Sequence, residues 1–133
     1  MCIRDRVNGA INDKEARTLA RVITSSSLVK TAIHGCDPNW GRIIAAAGRA
    51  GVLFAPDRLS LWIGPYLLLQ SGEPLDFDHN AASEYIKARM IGEYLVDDLV
   101  SIRLVVGSGK GEAVAWGCDL SDKYVRINAD YTT

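Results

Sequence analysis

The sequence predicts an α+β fold in which a mixed sheet with antiparallel hairpins is packed by helices. Amphipathic helical segments are mixed with short apolar runs that predict strands, and these strands come partly in adjacent pairs. No repeat, low-complexity segment or linker interrupts the 133 residues, a length that suits one domain.

The first predicted element is a helix over residues 12–25. Asn12 can cap it, and Glu15, three residues later, fits a capping box. Its apolar face recurs at helical spacing and consists of Ala16, Leu19, Ala20 and Ile23. The next run, residues 28–33, is short and rich in β-branched residues, which predicts a strand.

The stretch "HGCDPNWGRII" at 34–44 is typical of a helix start. Asp37 is expected as the N-cap of a helix over residues 38–49, because proline suits the first helical position. Trp40 is expected to anchor this helix in the core. An alternative stays open, in which Asp37 and Arg42 form an ion pair or hold a substrate.

The second half predicts strands at 59–63 and 66–70, separated by Gly64-Pro65, and a helix over about 80–94. Residues 100–106 and 112–117 predict a hairpin. A short helix is predicted from about Ser121, and a strand is the alternative because "VRINADY" alternates apolar and polar residues.

The loop "GSGKGE" at 107–112 resembles a phosphate-binding loop only in part. Such a loop needs Ser or Thr after the Gly-Lys pair and a helix next, whereas Gly111 and a strand-like run follow Lys110 here. A hairpin loop is the favoured interpretation.

Composition excludes several classes of function. The formal net charge is -1 and the basic residues are scattered, which argues against nucleic acid as a partner. Cys2, Cys36 and Cys118 form no close pair in sequence, so we expect no disulfide framework or zinc knuckle but reduced thiols of a cytosolic protein. Cys36 and Cys118 are expected to pack as small apolar groups. His34 and His79 lack neighbours at metal-ligand spacing, and no apolar run approaches the roughly 20 residues of a membrane span.

Residues 1–6, "MCIRDR", fit neither a signal peptide nor a clear strand, because two arginines flank an aspartate. We expect them to be a non-native leader. Residues 7–133 then form the single domain on which the functional interpretation depends.

Three longer motifs carry a resemblance. "SSLVKTAIHGCDPNWGRIIAAAGRAG" (26–51), "AWGCDL" (115–120) and "YVRINADYTT" (124–133) resemble the C-terminal part of the β chain in the ArgJ family. This family contains the bifunctional ornithine acetyltransferases and N-acetylglutamate synthases of arginine biosynthesis. The resemblance runs from about Val7 to Thr133 and implies a cytoplasmic enzyme with a layered α/β sandwich of the ArgJ/DmpA-like type.

The resemblance also implies a chemistry. The family's precursor cleaves itself before a threonine, which then takes an acetyl group from N-acetylornithine and passes it to glutamate. No cofactor is implied, although acetyl-CoA is an acetyl donor in bifunctional members. The family's substrate-binding asparagine and its chain-end hydroxyl residue fall on Asn128 and Thr133, whose amide and hydroxyl suit the charged end of an amino acid.

Other parts of the family's site have no counterpart here. The nucleophilic threonine, the oxyanion hole of the α chain and a substrate-binding glutamate all lie before the matching segment. The resemblance therefore implies no catalytic residue within this sequence and an inactive chain by itself. Its expected partners are the small-molecule substrates, the missing α chain and N-terminal β-chain segment, and further copies in an oligomer.

Two other functions remain open. One is a related self-processing aminopeptidase or amidase, and the other is a non-catalytic oligomerisation module. The ending "INADYTT" favours the acetyltransferase.

Overall fold

The computed structural model of the chain describes residues 2–91 and 99–120. The helices are α1 (Asp13–Ser25), α2 (Ser27–His34), α3 (Trp40–Gly48) and α4 (His79–Met90), with a single 3-10 turn at Pro56–Arg58. The strands are β1 (Cys2–Ala10), β2 (Ser60–Ile63), β3 (Tyr66–Gln70), β4 (Glu73–Pro74), β5 (Leu99–Val105) and β6 (Gly111–Cys118). The α+β class and the mixed sheet are thereby confirmed.

The six strands form one sheet in the order β4-β3-β2-β5-β1-β6. β1 pairs in parallel with β5 and antiparallel with β6, while the remaining neighbours are antiparallel. α1 lies against β1 and β6, and α2 and α3 pack beside it. The two strands predicted at 59–63 and 66–70 are confirmed as β2 and β3, which pair antiparallel.

The two faces of the sheet differ sharply in burial. On β1, β2 and β5 every second residue is fully buried and faces the helices, as the two-residue period of a strand requires. These inward residues include Ile3, Val7, Leu61, Ile63, Val100, Ile102 and Leu104. The alternate residues of the same strands are half-buried or exposed.

The predicted first helix is confirmed with its cap and its apolar face. Asn12 Oδ1 accepts a hydrogen bond from the backbone N–H of Glu15 at 2.9 Å. Ala16, Leu19, Ala20 and Ile23 are all fully buried. The helix predicted over 80–94 begins at His79, after the Asp78 cap, and ends at Met90 with Ile91 as its C-cap, so it is shorter than predicted. Tyr94 and everything beyond Ser121 lie outside the described residues.

The strand predicted at 28–33 is wrong, because these residues form α2. Ser26 caps it by accepting from the backbone N–H of Val29 at 3.4 Å. The buried residues Val29, Ala32 and Ile33 have helical spacing, and their burial beside α1 and α3 outweighs the local strand preference of β-branched residues.

The hairpin predicted from residues 100–106 and 112–117 is also wrong. β5 and β6 are both strands, but β1 lies between them and pairs with each. Their connection therefore crosses the end of β1, where the N–H of Gly109 donates to the carbonyl of Gly9 at 3.0 Å. A Cβ on Gly109 would overlap the carbonyl oxygen of Ala10, so the glycines permit two backbones to approach closely.

Residues 2–6 belong to β1, so the expectation that this stretch forms no strand is wrong. The fold does not test whether residues 1–6 are a non-native leader, which stays a prediction. Within β1, Asp5 stands on the inward face between Ile3 and Val7 and is fully buried. Its carboxylate has no hydrogen-bond partner among the described residues, and burial raises the pKa of Asp5 well above its ordinary value.

No helix within residues 2–91 and 99–120 is both long and apolar enough to cross a membrane.

Asp5 predicts an unusual dependence of stability on pH. An unfolded Asp5 ionises near pH 4, whereas the buried carboxyl stays protonated to a higher pH. The folded state therefore binds more protons above pH 4, and this residue's contribution to stability falls as the pH rises towards the folded-state pKa. Asp5→Val should raise the free energy of unfolding at pH 7 by about 1–3 kcal/mol.

Urea unfolding of the wild type, Asp5→Val and Asp5→Asn between pH 4 and pH 8 checks this expectation. Asp5→Asn is the matched control, since it removes the titration and keeps a buried polar group. A wild-type curve parallel to that of Asp5→Asn would show that burial does not perturb this carboxyl.

Candidate functional site

The motif at 34–44 folds as the connection between α2 and α3. The predicted cap was wrong by two positions, because Asn39 and not Asp37 caps the helix, which begins at Trp40. Asn39 Oδ1 accepts from the backbone N–H of Arg42 at 3.0 Å. Asn39 Nδ2 donates to Asp37 Oδ2 at 3.0 Å, so the Asp37 carboxylate orients the capping amide.

Arg42 holds α3 against α2. Its Nη1 donates to the carbonyl of Leu28 at 3.0 Å and to Thr31 Oγ1 at 3.3 Å. The alternative ion pair between Asp37 and Arg42 does not form in the structure. The imidazole nitrogen His79 Nε2 lies 3.9 Å from Asp37 Oδ1. The polar residues of this motif thus have structural partners within the chain.

An open cavity of about 350 Å³ lies beside the motif. It is lined by Asp37, Pro38, Asn39, Trp40, Gly41, Phe77 and His79. Trp40 packs against the hydrophobic core, as expected, but is only partly buried and forms one wall of this cavity. Phe77 and His79 also line the cavity, and their rings stack with the centroids 6.0 Å apart.

Cys36 and Cys118 are free thiols. Cys36 adopts a positive φ of 56°, and its carbonyl accepts from Ser83 Oγ at 2.8 Å. Burial raises the pKa of the Cys36 thiol, against the opposite effect of Lys87. Cys118 is exposed rather than packed, and it lies directly opposite Cys2 in the ladder of β1 and β6, a proximity that sequence spacing did not reveal.

His34 and Asp119 form a pair that the sequence did not predict. His34 Nδ1 lies 2.9 Å from Asp119 Oδ2, and the two side chains are 35% and 15% exposed. Next to them the N–H of Leu120 donates to the carbonyl of Lys30 at 3.4 Å. The end of β6 is therefore fixed to α2, and the motifs at 26–51 and 115–120 meet at this point.

The sequence offers one hint of this pair, the carboxylate of Asp119 within the motif "AWGCDL". Only the fold shows that Asp119 lies beside His34, 85 residues away in sequence. Asn128 and Thr133 lie outside the described residues, so their assignment to substrate binding stays a prediction. Within 2–91 and 99–120, no cluster of three or more His, Cys, Asp or Glu residues could hold a metal ion.

Comparison with known proteins decides the family. The model of the ArgJ family matches residues 1–133. The chain belongs to the ArgJ family. It is 64% identical over 128 residues to the arginine biosynthesis bifunctional protein ArgJ of Prochlorococcus marinus strain NATL2A, which covers 96% of this chain and 30% of that protein.

Two further ArgJ relatives agree in sequence and in fold. The ArgJ protein of Synechococcus sp. strain ATCC 27144 is 58% identical over 131 residues, covering 98% of this chain and 32% of that protein. The crystal structure of ArgJ from Bacillus halodurans superposes with a TM-score of 0.87 at 42% identity, over 98% of this chain and 57% of that one. The chain thus spans about a third of the length of its curated ArgJ relatives.

The pair of His34 and Asp119 predicts energetic coupling between α2 and the end of β6. In a double-mutant cycle of His34→Ala and Asp119→Ala, we expect a coupling of about 0.5–1.5 kcal/mol, the usual net value of a partly buried hydrogen bond. Urea unfolding of the wild type, both single variants and the double variant measures it. Additive effects of the two substitutions would show that the contact contributes nothing to stability.

Proposed function

We propose that this chain is part of an acetyltransferase of arginine biosynthesis, which moves an acetyl group from N-acetylornithine to glutamate. The observation that carries the proposal is the match of the ArgJ family over residues 1–133. The contact between His34 and Asp119 supports it, because it joins two of the motifs that resemble the family, 26–51 and 115–120, in one part of the fold.

The proposed reaction has two half-reactions. In the first, the hydroxyl oxygen of the exposed threonine attacks the acetyl carbonyl of N-acetylornithine, the carbon–nitrogen bond breaks, and ornithine leaves with the proton that the threonine hydroxyl gave up. In the second, the α-amine of glutamate attacks the acetyl ester, which releases N-acetylglutamate and restores the hydroxyl. Acetyl-CoA replaces N-acetylornithine as donor in a bifunctional enzyme.

The proposed role of this chain is to hold the substrates. Both N-acetylornithine and glutamate carry an α-carboxylate, and an amide and a hydroxyl can donate to such a group. Asn128 and Thr133 provide these groups. They follow Asp119 and Leu120 in the chain, which are fixed to α2 by side-chain and backbone contacts.

The rest of the enzyme supplies the chemistry. The threonine nucleophile, the oxyanion hole and the substrate-binding glutamate belong to the α chain and to the N-terminal part of the β chain. The complete enzyme is a cytoplasmic oligomer of both chains. This chain alone is therefore inactive.

A hybrid enzyme tests the proposed function. Residues 7–133 replace the corresponding segment of the Prochlorococcus marinus ArgJ protein, and acetyl transfer from N-acetylornithine to glutamate is measured. We expect transfer by the hybrid, and no turnover above the uncatalysed rate by the 133-residue chain, which contains no nucleophile of the family.

The same assay distinguishes the alternatives. Release of free acetate or of an amino acid without transfer to glutamate would indicate an amidase or aminopeptidase. A hybrid that folds and cleaves itself but has neither activity would leave only a non-catalytic module. Turnover by the isolated chain would place the nucleophile inside it and overturn the proposal.

Asn128 gives the sharper prediction. In the hybrid, Asn128→Ala should lower kcat/KM for both substrates by about ten- to a hundred-fold, since one hydrogen bond to a charged group is worth about 1.5–3 kcal/mol. Deleting Thr133 should act in the same direction, and the melting temperature should change little. A fall in melting temperature that parallels the loss of activity would show Asn128 to be structural instead.

A further inference from the structure

The open cavity beside the start of α3, here named the aromatic cavity, joins one carboxylate to three aromatic rings. The carboxylate is that of Asp37, the rings are those of Trp40, Phe77 and His79, and none of the lining residues is a lysine or an arginine. Trp40 and Phe77 are half-buried and pack against the hydrophobic core. The core therefore holds both side chains in place, while part of each faces the cavity.

The Asp37 carboxylate is oriented but not neutralised. Its Oδ2 accepts from Asn39 Nδ2 at 3.0 Å, which fixes the carboxylate. Its Oδ1 lies 3.9 Å from His79 Nε2, beyond hydrogen-bond distance, and no lysine or arginine of residues 2–91 and 99–120 forms an ion pair with it. The side chain is 44% exposed, so a ligand reaches it from solvent. A fixed carboxylate without a cation attracts a positively charged group.

The backbone beside the cavity does not favour an anion. An anion binds the start of a helix through free N–H groups, but the chain itself occupies three of the first four N–H groups of α3. The N–H of Trp40 donates to the carbonyl of Pro38 at 3.1 Å. The N–H groups of Arg42 and Ile43 donate to Asn39, to its side chain at 3.0 Å and to its carbonyl at 3.4 Å. A cation is therefore the favoured ligand.

The rings and the volume indicate the kind of cation. The face of an aromatic ring attracts a cation within about 6 Å, and tryptophan does so most strongly. The rings of Phe77 and His79 stack into one wall, and Pro38 adds apolar surface. The volume of about 350 Å³ is near the lower end of the range for small-molecule sites. These features suit a primary ammonium or guanidinium group on a short aliphatic stem.

We propose that the aromatic cavity binds a small organic cation of this class. Asp37 is its counter-ion, and the rings of Trp40 and Phe77 contact the charged group and the stem. The motif at 34–44 then has two roles, since it caps α3 and binds a ligand. Arg42 takes no part, because its guanidinium is bound to the carbonyl of Leu28 on α2.

A series of ligands that share one four-carbon stem tests the proposal. Butylammonium, butanol and butyrate are each added to the isotope-labelled 133-residue chain, and the NMR shift of the Trp40 indole N–H is followed. This signal is assigned by its absence in Trp40→Phe. We expect butylammonium to bind with a Kd of about 1–10 mM, as for one weak ion pair with cation–π contacts. Butanol and butyrate should bind at least about tenfold more weakly, since a change of ~1.4 kcal/mol is tenfold in Kd.

Two variants locate the site. Asp37→Asn should weaken butylammonium binding about fivefold or more, because it removes the counter-ion but keeps an oxygen that accepts from Asn39. Phe77→Leu should weaken it about two- to fivefold, the value of one exposed cation–π contact. Asp57→Asn and Phe54→Leu are the matched controls, since they make the same changes outside the cavity. Both controls should bind as the wild type does.

Each other outcome counts against the proposal. Equal binding of butanol would show that the cavity takes only the apolar stem, and tighter binding of butyrate would make it an anion site. No saturable shift in the wild type, or unchanged affinity in Asp37→Asn, would also overturn it. Circular dichroism checks the fold of every variant, and if Asp37→Asn unfolds, the ligand series and Phe77→Leu decide.

The experiment is independent of acetyl transfer. All the residues that carry the proposal lie between positions 37 and 79, and the readout is binding to the chain itself. Transfer by the hybrid enzyme without butylammonium binding would count against the cation site alone. Binding without transfer would count against the proposed function alone.

Discussion

The position of β1 between β5 and β6 is the constraint on which the rest of the structure depends. β5 and β6 do not touch each other in the ladder, so each has β1 as its partner on that side. Because α1 follows β1 directly, the helix is laid across β1 and β6, and α2 and α3 pack beside it. The fixed end of β6 then brings Asp119 to His34. Asp5 puts a buried carboxyl group, which has no hydrogen-bond partner within residues 2–91 and 99–120, at the centre of this arrangement.

The sequence predicts the elements whose signals are local. α1 has a side-chain cap and an apolar stripe within fourteen residues, which is why both the helix and its buried face are predicted. The Gly64-Pro65 break marks the β2–β3 hairpin in the same way. Residues 28–33 predict a strand because the run is short and rich in β-branched residues, whereas the contacts that stabilise a helix there come from α1 and α3.

What the sequence does not predict depends on long-range pairing. The loop between β5 and β6 is short and rich in glycine, as a hairpin loop would be, but its glycines accommodate β1 and not a tight turn. The contact of His34 with Asp119 has the same origin. At the start of α3, Asp37 and Asn39 are both residue types that cap helices well. Only the structure shows that Asn39 is the cap and that Asp37 orients its side-chain amide. The assignment of Asn128 and Thr133 to substrate binding rests on the family resemblance alone, because the sequence pattern of a polar chain end does not predict a site.

The pairing of β1 with strands from the far end of the chain also determines when the protein can fold. Arg4 contacts Ser101 across 97 positions of sequence. At a translation rate of about 5–20 residues per second, β1 leaves the ribosome roughly 5–20 s before its partners are made. During that interval its neighbours β5 and β6 are still absent, and unpaired strand edges favour aggregation. The sheet can therefore be completed only after β5 and β6 have been synthesised. Pairing between strands so far apart in sequence is also intrinsically slow.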